Sequence, residues 1–367
     1  MRKVRHVLGI SGGKDSAALA IYMKNNYPHL DIEYYTCDTG KELDETYKLI
    51  ENLEVYLGKK IIKLKATGDS PELPFDHFLK MYGGFLPSSN SRWCTKKLKL
   101  EPFERYVGND LVISYVGIRG DEEREGYIST KTNIQSIFPF RKNIWSEDVV
   151  RSALANENIT QILQFHAGLE QNAKSERFAE ILRTTLTPSF ILERKLNLLL
   201  DLDTKQLNAV VHEFLKKTSY PLATEPHFPL IDNEDILVRD DIFKILEESG
   251  VGVPEYYKKV SFEINGKTGA YSRSRSGCFF CFFQQKIEWI WLYEQHPELF
   301  KKAMEYEGDG YTWMQDEKLE ELLVPERMAK IKEDFIKRAS KNQNQQSSYL
   351  LDILDEQEGV GCAACFI

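Results

Sequence analysis

Gly9-Ile10-Ser11-Gly12-Gly13-Lys14-Asp15-Ser16-Ala17-Ala18 is the stretch that decides the fold. The β-branched, apolar run Val4–Ile10 leads into it, and Ala17, Ala18, Ile21 and Tyr22 follow at helical spacing. That order predicts a strand, a tight turn and a helix over Asp15–Asn26. Two adjacent glycines let a backbone turn sharply and approach a ligand closely. The helix that follows offers free N–H groups and the positive end of its dipole to an anion. Ser11 and Ser16 add hydroxyls and Lys14 adds a charge, so Ser11, Gly12, Gly13, Lys14, Asp15 and Ser16 form a candidate phosphate or pyrophosphate site. The common mononucleotide loop is excluded. It needs four residues between its glycines and Ser or Thr after the lysine, whereas three separate Gly9 from Gly13 and Asp15 follows Lys14. The competing reading is a Gly-Gly turn that needs no ligand.

Working outward, Ile32–Cys37, Ile61–Leu64 and Leu111–Ile118 read as further strands. Leu43–Leu57, Phe75–Met81 and Lys96–Tyr106 read as helices between them. Strands alternating with helices predict an α/β fold with a doubly wound, mostly parallel sheet over residues 1–150. The strand signal then stops. Residues 151–220 read as a helical insertion in which Asp203 or Thr204 caps a helix carrying Leu207, Val210, Val211, Phe214 and Leu215. Residues 221–284 return to the core, and 285–340 read as helical, with Trp289, Trp291 and Trp313 as packing residues. A polar linker from Lys341 to Ser348 opens the tail, residues 341–367.

Bulk properties narrow the class. The 367 residues are 42% hydrophobic and 28% charged, a globular balance that excludes wholesale disorder. No apolar run nears the ~20 residues a bilayer span requires, and the short apolar stretch near the start is no signal peptide, so a cytoplasmic protein without membrane contact is expected. Lys+Arg total 48 against 56 Asp+Glu, a net charge of −8. That balance does not forbid nucleic acid as substrate, but a partner subunit is expected to supply much of the phosphate contact. Four of the six cysteines form two Cys-x-x-Cys pairs, Cys278/Cys281 and Cys362/Cys365, which points to metal or redox chemistry. Cys37 lies inside an apolar strand and reads as packing. The histidines show no zinc-ligand spacing.

Ser11–Ser16 resembles the SGGxDS loop of the PP-loop ATP pyrophosphatases, which have an adenine nucleotide alpha hydrolase-like fold. Cys37-Asp38-Thr39-Gly40 with Glu42, and Gly117-Ile118-Arg119 through Arg124, are similar to elements of the phosphoadenosine phosphosulfate reductase-like branch. That resemblance implies that ATP with Mg²⁺ is cut between its α- and β-phosphates. Ser11–Ser16, Asp38, Gly40 and Gly117 would line the nucleotide, and Lys14, Asp15, Arg119 and Arg124 would act on it. Asp38 and Asp121 are open between assisting Mg²⁺ and capping a helix. Arg92-Trp93-Cys94-Thr95-Lys96 with Lys99, and Arg273-x-Arg275-x-Gly277-Cys278-x-x-Cys281, resemble the DndC/SspD-type DNA phosphorothioation proteins. This implies DNA as substrate, a cysteine desulfurase as sulfur donor, and Arg92, Lys96, Lys99, Arg273 and Arg275 as second-substrate contacts. It also implies a [4Fe-4S] cluster, rather than zinc, on Cys278 and Cys281 with Cys94, Cys362 or Cys365. A sulfonucleotide reductase, a tRNA thiolase and a nucleotide-binding scaffold without turnover are the alternatives.

Overall fold

The computed structural model describes residues 3–68, 70–122, 129, 131–308 and 310–344. Five strands, β1 (Arg5–Gly9), β2 (Ile32–Cys37), β3 (Ile61–Leu64), β4 (Val112–Tyr115) and β5 (Ile134–Ile137), form one sheet in the order 3-2-1-4-5. Every pairing is parallel, with His6 opposite Ile32 on one side and Ile113 on the other. A parallel sheet must be covered on both faces. Accordingly β4 and β5 are buried at every position, whereas edge strand β3 exposes Ile62 and Lys63.

Between the strands run α1 (Lys14–Asn26), α2 (Asp44–Leu57), α3 (Pro74–Met81), the single turn α4 (Trp93–Thr95) and α5 (Glu101–Val107). A wide turn over Lys96–Leu100 joins the last two. Helix α1 is buried on all sides from Lys14 to Met23, and its small residues Ala17, Ala18 and Ala20 permit that close packing. It touches α2 and α11 (Arg239–Glu248).

Helices α6 (Glu147–Ala153), α7 (Ile159–Ala167), α8 (Ser175–Arg183), α9 (Leu192–Leu202) and α10 (Thr204–Leu215) fill the predicted helical stretch. Asp203 caps α10 by accepting the Gln206 N–H at 3.0 Å. The insertion is not a detached lobe: Phe178, Leu199, Leu207 and Val211 share one hydrophobic core with Ile113, Tyr115 and Ile137 of the sheet. The chain then forms an antiparallel hairpin, β6 (Val260–Ile264) and β7 (Lys267–Tyr271), and helices α12 (Lys286–Gln295), α13 (Pro297–Glu305) and α14 (Pro325–Asn344). A second core lies here, built on Trp289, Trp291, Trp313, Phe75 and Phe280. Helix α14 runs into the expected linker as far as Asn344. Among the described residues no helix is long and apolar enough to cross a membrane.

The strand order reverses between β1 and β4, and in open α/β sheets ligands bind at such a switch point, outside the carboxyl ends of the strands. Here the Ser11–Ser16 loop leaves β1 and the Gly117–Asp121 segment leaves β4.

Candidate functional site

The loop after β1 is held by its own hydroxyls. Ser16 Oγ accepts the Ser11 N–H at 3.2 Å and donates to the Gly13 carbonyl at 3.2 Å. The Ser11 and Ser16 hydroxyl oxygens are 3.1 Å apart. Gly12 sits at φ +74°, and a Cβ there would come within 2.2 Å of Thr46 Cγ2 on α2. A Cβ on Gly13 would meet Ser276 Oγ at 2.6 Å, and one on Gly117 would meet the Asp15 carbonyl oxygen at 2.9 Å. Glycine at these three positions is therefore a demand of close packing around the start of α1.

The charges at this point are buried and mutually satisfied. Asp15 accepts from Lys14 Nζ at 3.2 Å and from Arg119 Nη1 at 3.0 Å. Arg119 also pairs with Asp121 at 2.9 Å and Glu122 at 2.8 Å, and is wholly buried. Arg119 therefore acts on the loop through Asp15, and its guanidinium is sealed among three carboxylates. Asp121 serves that cluster rather than a free edge. Arg124 lies outside the described residues.

The segment after β2 forms the next wall. Asp38 Oδ1 accepts the Gly40 N–H at 2.8 Å, closing a turn that puts Gly40 at φ +73°. The Tyr47 hydroxyl lies 3.1 Å from Asp38 and 3.0 Å from Glu42, tying the two carboxylates together. Ser11, Cys37, Asp38, Glu42, Thr46 and Lys63 are among the residues lining a small recess here. Burial pushes the Cys37 thiol up to about 12, so Cys37 is packing, as its place in an apolar strand predicts.

Residues from the far end of the chain close the site. Tyr256 donates its hydroxyl proton to the Gly12 carbonyl at 3.1 Å, and the Tyr257 oxygen accepts the Lys14 N–H at 3.4 Å. The ammonium of Lys14 also lies over the Tyr257 ring, 5.2 Å from its centre. Sequence reasoning gave no role to these two tyrosines, Ser276 or Tyr47, and named Glu42 only as part of a resembling segment. Nothing local marks Tyr256 and Tyr257, because their partners lie 244 and 243 positions away.

The expected second-substrate residues divide into groups. Arg92 and Arg275 both stand over Phe283, at 5.1 and 5.6 Å from the ring centre. Lys96 is exposed beside them in sequence, whereas the Lys99 carbonyl receives the Cys37 thiol at 3.6 Å. Arg273 is 1% exposed and donates to the Cys278 carbonyl at 3.1 Å.

Cys278 joins the β2 segment through a bridge to Glu42 and a 3.2 Å contact with the Thr39 hydroxyl. Burial raises its thiol well above the usual range. Cys94, Cys278 and Cys281 are free thiols, and Cys94 and Cys278 flank the same aromatic core. Among the described residues, however, no group of three or more Cys, His, Asp or Glu side chains is placed to hold a metal ion. Cys362 and Cys365 lie outside the described residues. The expected ligand set thus extends beyond the described residues, and no chemistry is derived through a cluster or zinc.

The fold is a doubly wound α/β domain with a glycine loop between its first strand and first helix. More particularly, residues 5–162 match the phosphoadenosine phosphosulfate reductase domain, so the chain carries a domain of that kind. Two uncharacterized proteins of Methanocaldococcus jannaschii are similar. One is 32% identical over 38% of this chain and 30% of its own length; the other is 25% identical over 47% and 43%. The chain thus matches less than half the length of either relative. A crystal structure of phosphoadenylyl-sulfate (PAPS) reductase from Candida auris, a phosphate complex, aligns at 20% identity and a TM-score of 0.29, over 43% of this chain and 73% of that one.

Proposed function

We propose that this protein cleaves ATP between the α- and β-phosphates and uses the activated product to place sulfur in a DNA backbone. The observation that carries the nucleotide part is the place of the loop, which leaves β1 at the sheet's switch point and opens α1 with its free N–H groups. Backbone N–H groups at the start of α1 would hold the pyrophosphate, with Mg²⁺ arriving on the ATP. A non-bridging oxygen of the DNA phosphate attacks the α-phosphorus, the α–β bridge breaks, and pyrophosphate leaves. The terminal sulfur of a persulfide made by a cysteine desulfurase then attacks the backbone phosphorus and expels AMP. A second thiol cleaves the S–S bond and leaves the phosphorothioate. Arg92 and Arg275 on one ring, with Lys96 exposed nearby in sequence, support an anionic polymer as acceptor.

The match to the reductase domain favours a second reading, reduction of a sulfonucleotide, in which ATP is not split. One assay separates them. Anaerobically purified protein is incubated with ATP and Mg²⁺, with and without DNA, and pyrophosphate is measured against phosphate. Pyrophosphate that falls at least tenfold in Ser11→Ala is expected. Sulfite released from adenylyl sulfate and a thiol, with no pyrophosphate from ATP, would replace the first reading by the second.

A further inference from the structure

Among the described residues three Phe, Tyr or Trp side chains are exposed, and two of them, Tyr82 and Phe85, stand together just after α3. Tyr82 is 40% exposed, Phe85 36%, and Met81 beside them 68%. Single exposed apolar residues are ordinary; this pair is set apart by what lies beneath and around it. The Tyr82 ring stacks on Trp93, with 5.1 Å between centres. Trp93 is buried, rests on Phe75 at 5.3 Å, and donates its indole N–H to the Phe85 carbonyl at 3.0 Å. The column continues from Phe75 through Phe280 to Trp313, at 4.5 and 4.8 Å. Phe85 meets Tyr311 edge-on at 5.3 Å. Tyr82 thus has one face fixed on a packed aromatic column and the other turned to solvent. Between the two exposed rings the space is open, since no atom lies within 4 Å of a Cβ built on Gly83 or Gly84.

The surroundings carry one sign of charge. Residues 77–100 contain five Lys or Arg and no Asp or Glu, in a chain whose net charge is −8. Lys80 and Lys97 pair with Glu72 and Glu101 at the margins of this stretch. Lys97 also lies within electrostatic reach of the Tyr82 hydroxyl, and α3 packs against the Lys96–Leu100 turn. The other end of α3 abuts the wall built after β2. There the Phe75 N–H donates to the Thr39 carbonyl at 3.3 Å, and Leu73 fills the space that a Cβ on Gly40 would need. A helix of 8 residues rises about 12 Å. The rings therefore stand roughly three to four nucleotide steps from that wall, at about 3.4 Å per step.

We infer that Tyr82 and Phe85 are a stacking platform for an unpaired base of the nucleic acid substrate, a neighbour of the nucleotide whose phosphate reacts. An aromatic face takes any base, because every base has a π-face. The group recognised is the flat base and not a phosphate, so this subsite is separate from the cationic contacts that the family resemblance implies. The inference rests on the reading of DNA as the acceptor. A protein surface is the rival occupant. A rigid ring ready to stack, amid cations without carboxylates, favours a polyanion that carries flat bases.

The full chain is titrated at low salt into two fluorescein-labelled single-stranded dodecamers, one of thymidine and one of abasic sites with the same phosphates, and binding is read by anisotropy. Wild type is expected to bind the thymidine strand about tenfold or more tightly than the abasic one, the size of one base–aromatic contact. Tyr82→Ala should remove that difference, Tyr82→Trp should keep it, and Tyr82→Leu, equally apolar but without a π-face, should lose it. A preference for bases that survives in Tyr82→Ala or Tyr82→Leu overturns the inference, as does a wild type that binds neither strand. Should Tyr82→Ala not fold, Phe85→Ala decides in the same way. Sedimentation closes the rival: a wild-type dimer that Tyr82→Ala dissociates makes the rings an interface between copies and also overturns the inference. Failure of the acceptor reading looks different. Base-dependent binding through Tyr82 then persists, yet DNA brings no release of pyrophosphate from ATP.

Discussion

At the carboxyl ends of β1 and β4 the chain packs two glycines that cannot bear a Cβ, a buried Lys14–Asp15–Arg119 cluster and a cover of two tyrosines. At the amino ends of the same sheet it leaves a pocket of about 740 Å³, lined by His6, His29, His212 and His227 among others. By size alone the second region is the better cavity, within the range of small-molecule sites. It also gathers four of the seven histidines. Yet its innermost imidazoles are spoken for: His6 Nδ1 lies 2.8 Å from the Tyr115 hydroxyl and His212 Nε2 lies 3.2 Å from the Glu225 carbonyl. Burial lowers the pKa of both, with Lys3 and Lys216 as the next contributors. The two ends thus differ in kind: paired buried charge and close-packed backbone at the carboxyl ends, open space at the amino ends.

The largest blow to that contrast would come from Asp15→Ala. It strands Lys14 and Arg119 without their shared carboxylate, and breaking a buried pair costs about 3–5 kcal/mol. Chemical denaturation should show that loss, and pyrophosphate release should disappear with it. A variant that stays stable would mean that Asp121 and Glu122 alone neutralise Arg119.

Next comes acid. His6 falls from its ordinary value near 6.5 to about 4. Its neutral form is the native one, so its full contribution is present above pH 6.5 and is lost as pH falls from 6.5 to about 4. That amounts to roughly 3 kcal/mol. His6→Gln should flatten the stability–pH curve over this interval, and an unchanged slope would show that His6 is more open than the structure has it.

Gly12→Ala is expected to cost about 1–3 kcal/mol, because the added methyl meets Thr46 at a positive φ. Its pyrophosphate release should drop at least tenfold, and Thr46→Gly in the same chain should restore part of it. Tyr257→Phe removes the acceptor of the Lys14 N–H and should cost about 1 kcal/mol by thermal melting. The smallest effect belongs to the other end of the sheet: His29→Ala with His227→Ala should change pyrophosphate release less than twofold. A larger change would bring that pocket into the reaction.

Legibility from sequence followed locality. The β1–loop–α1 unit was readable because its strand, glycines and helix are contiguous, and the ends of β2 and β3 fell where the apolar runs stop. β5 was not readable. It is four residues long, and its buried centre is polar, with Gln135 accepting the Leu222 N–H at 3.0 Å. The β6–β7 hairpin did carry a local signal that went unread, Asn265-Gly266, both at positive φ, the usual sign of a tight hairpin turn. Of the site, the glycines, Lys14 and Asp15 declare themselves, since helix-end chemistry is written in neighbouring residues. The role of Arg119 did not, because a carboxylate cage is a property of the fold. The Arg92–Phe283–Arg275 stack is likewise non-local, joining residues more than 180 positions apart.

The distance in sequence between the phosphate loop and its two tyrosines also sets a timetable. A ribosome adds about 5–20 residues each second, so the segment carrying Tyr256 and Tyr257 emerges on the order of 10–50 s after the loop. Throughout that interval the first strands and α1 have their local partners, while the start of α1 stands open to the nucleotides of the surrounding fluid. The start of α1 thus gains its tyrosine contacts long after it is made, and a product truncated before Pro254 would keep the loop and lack both tyrosines.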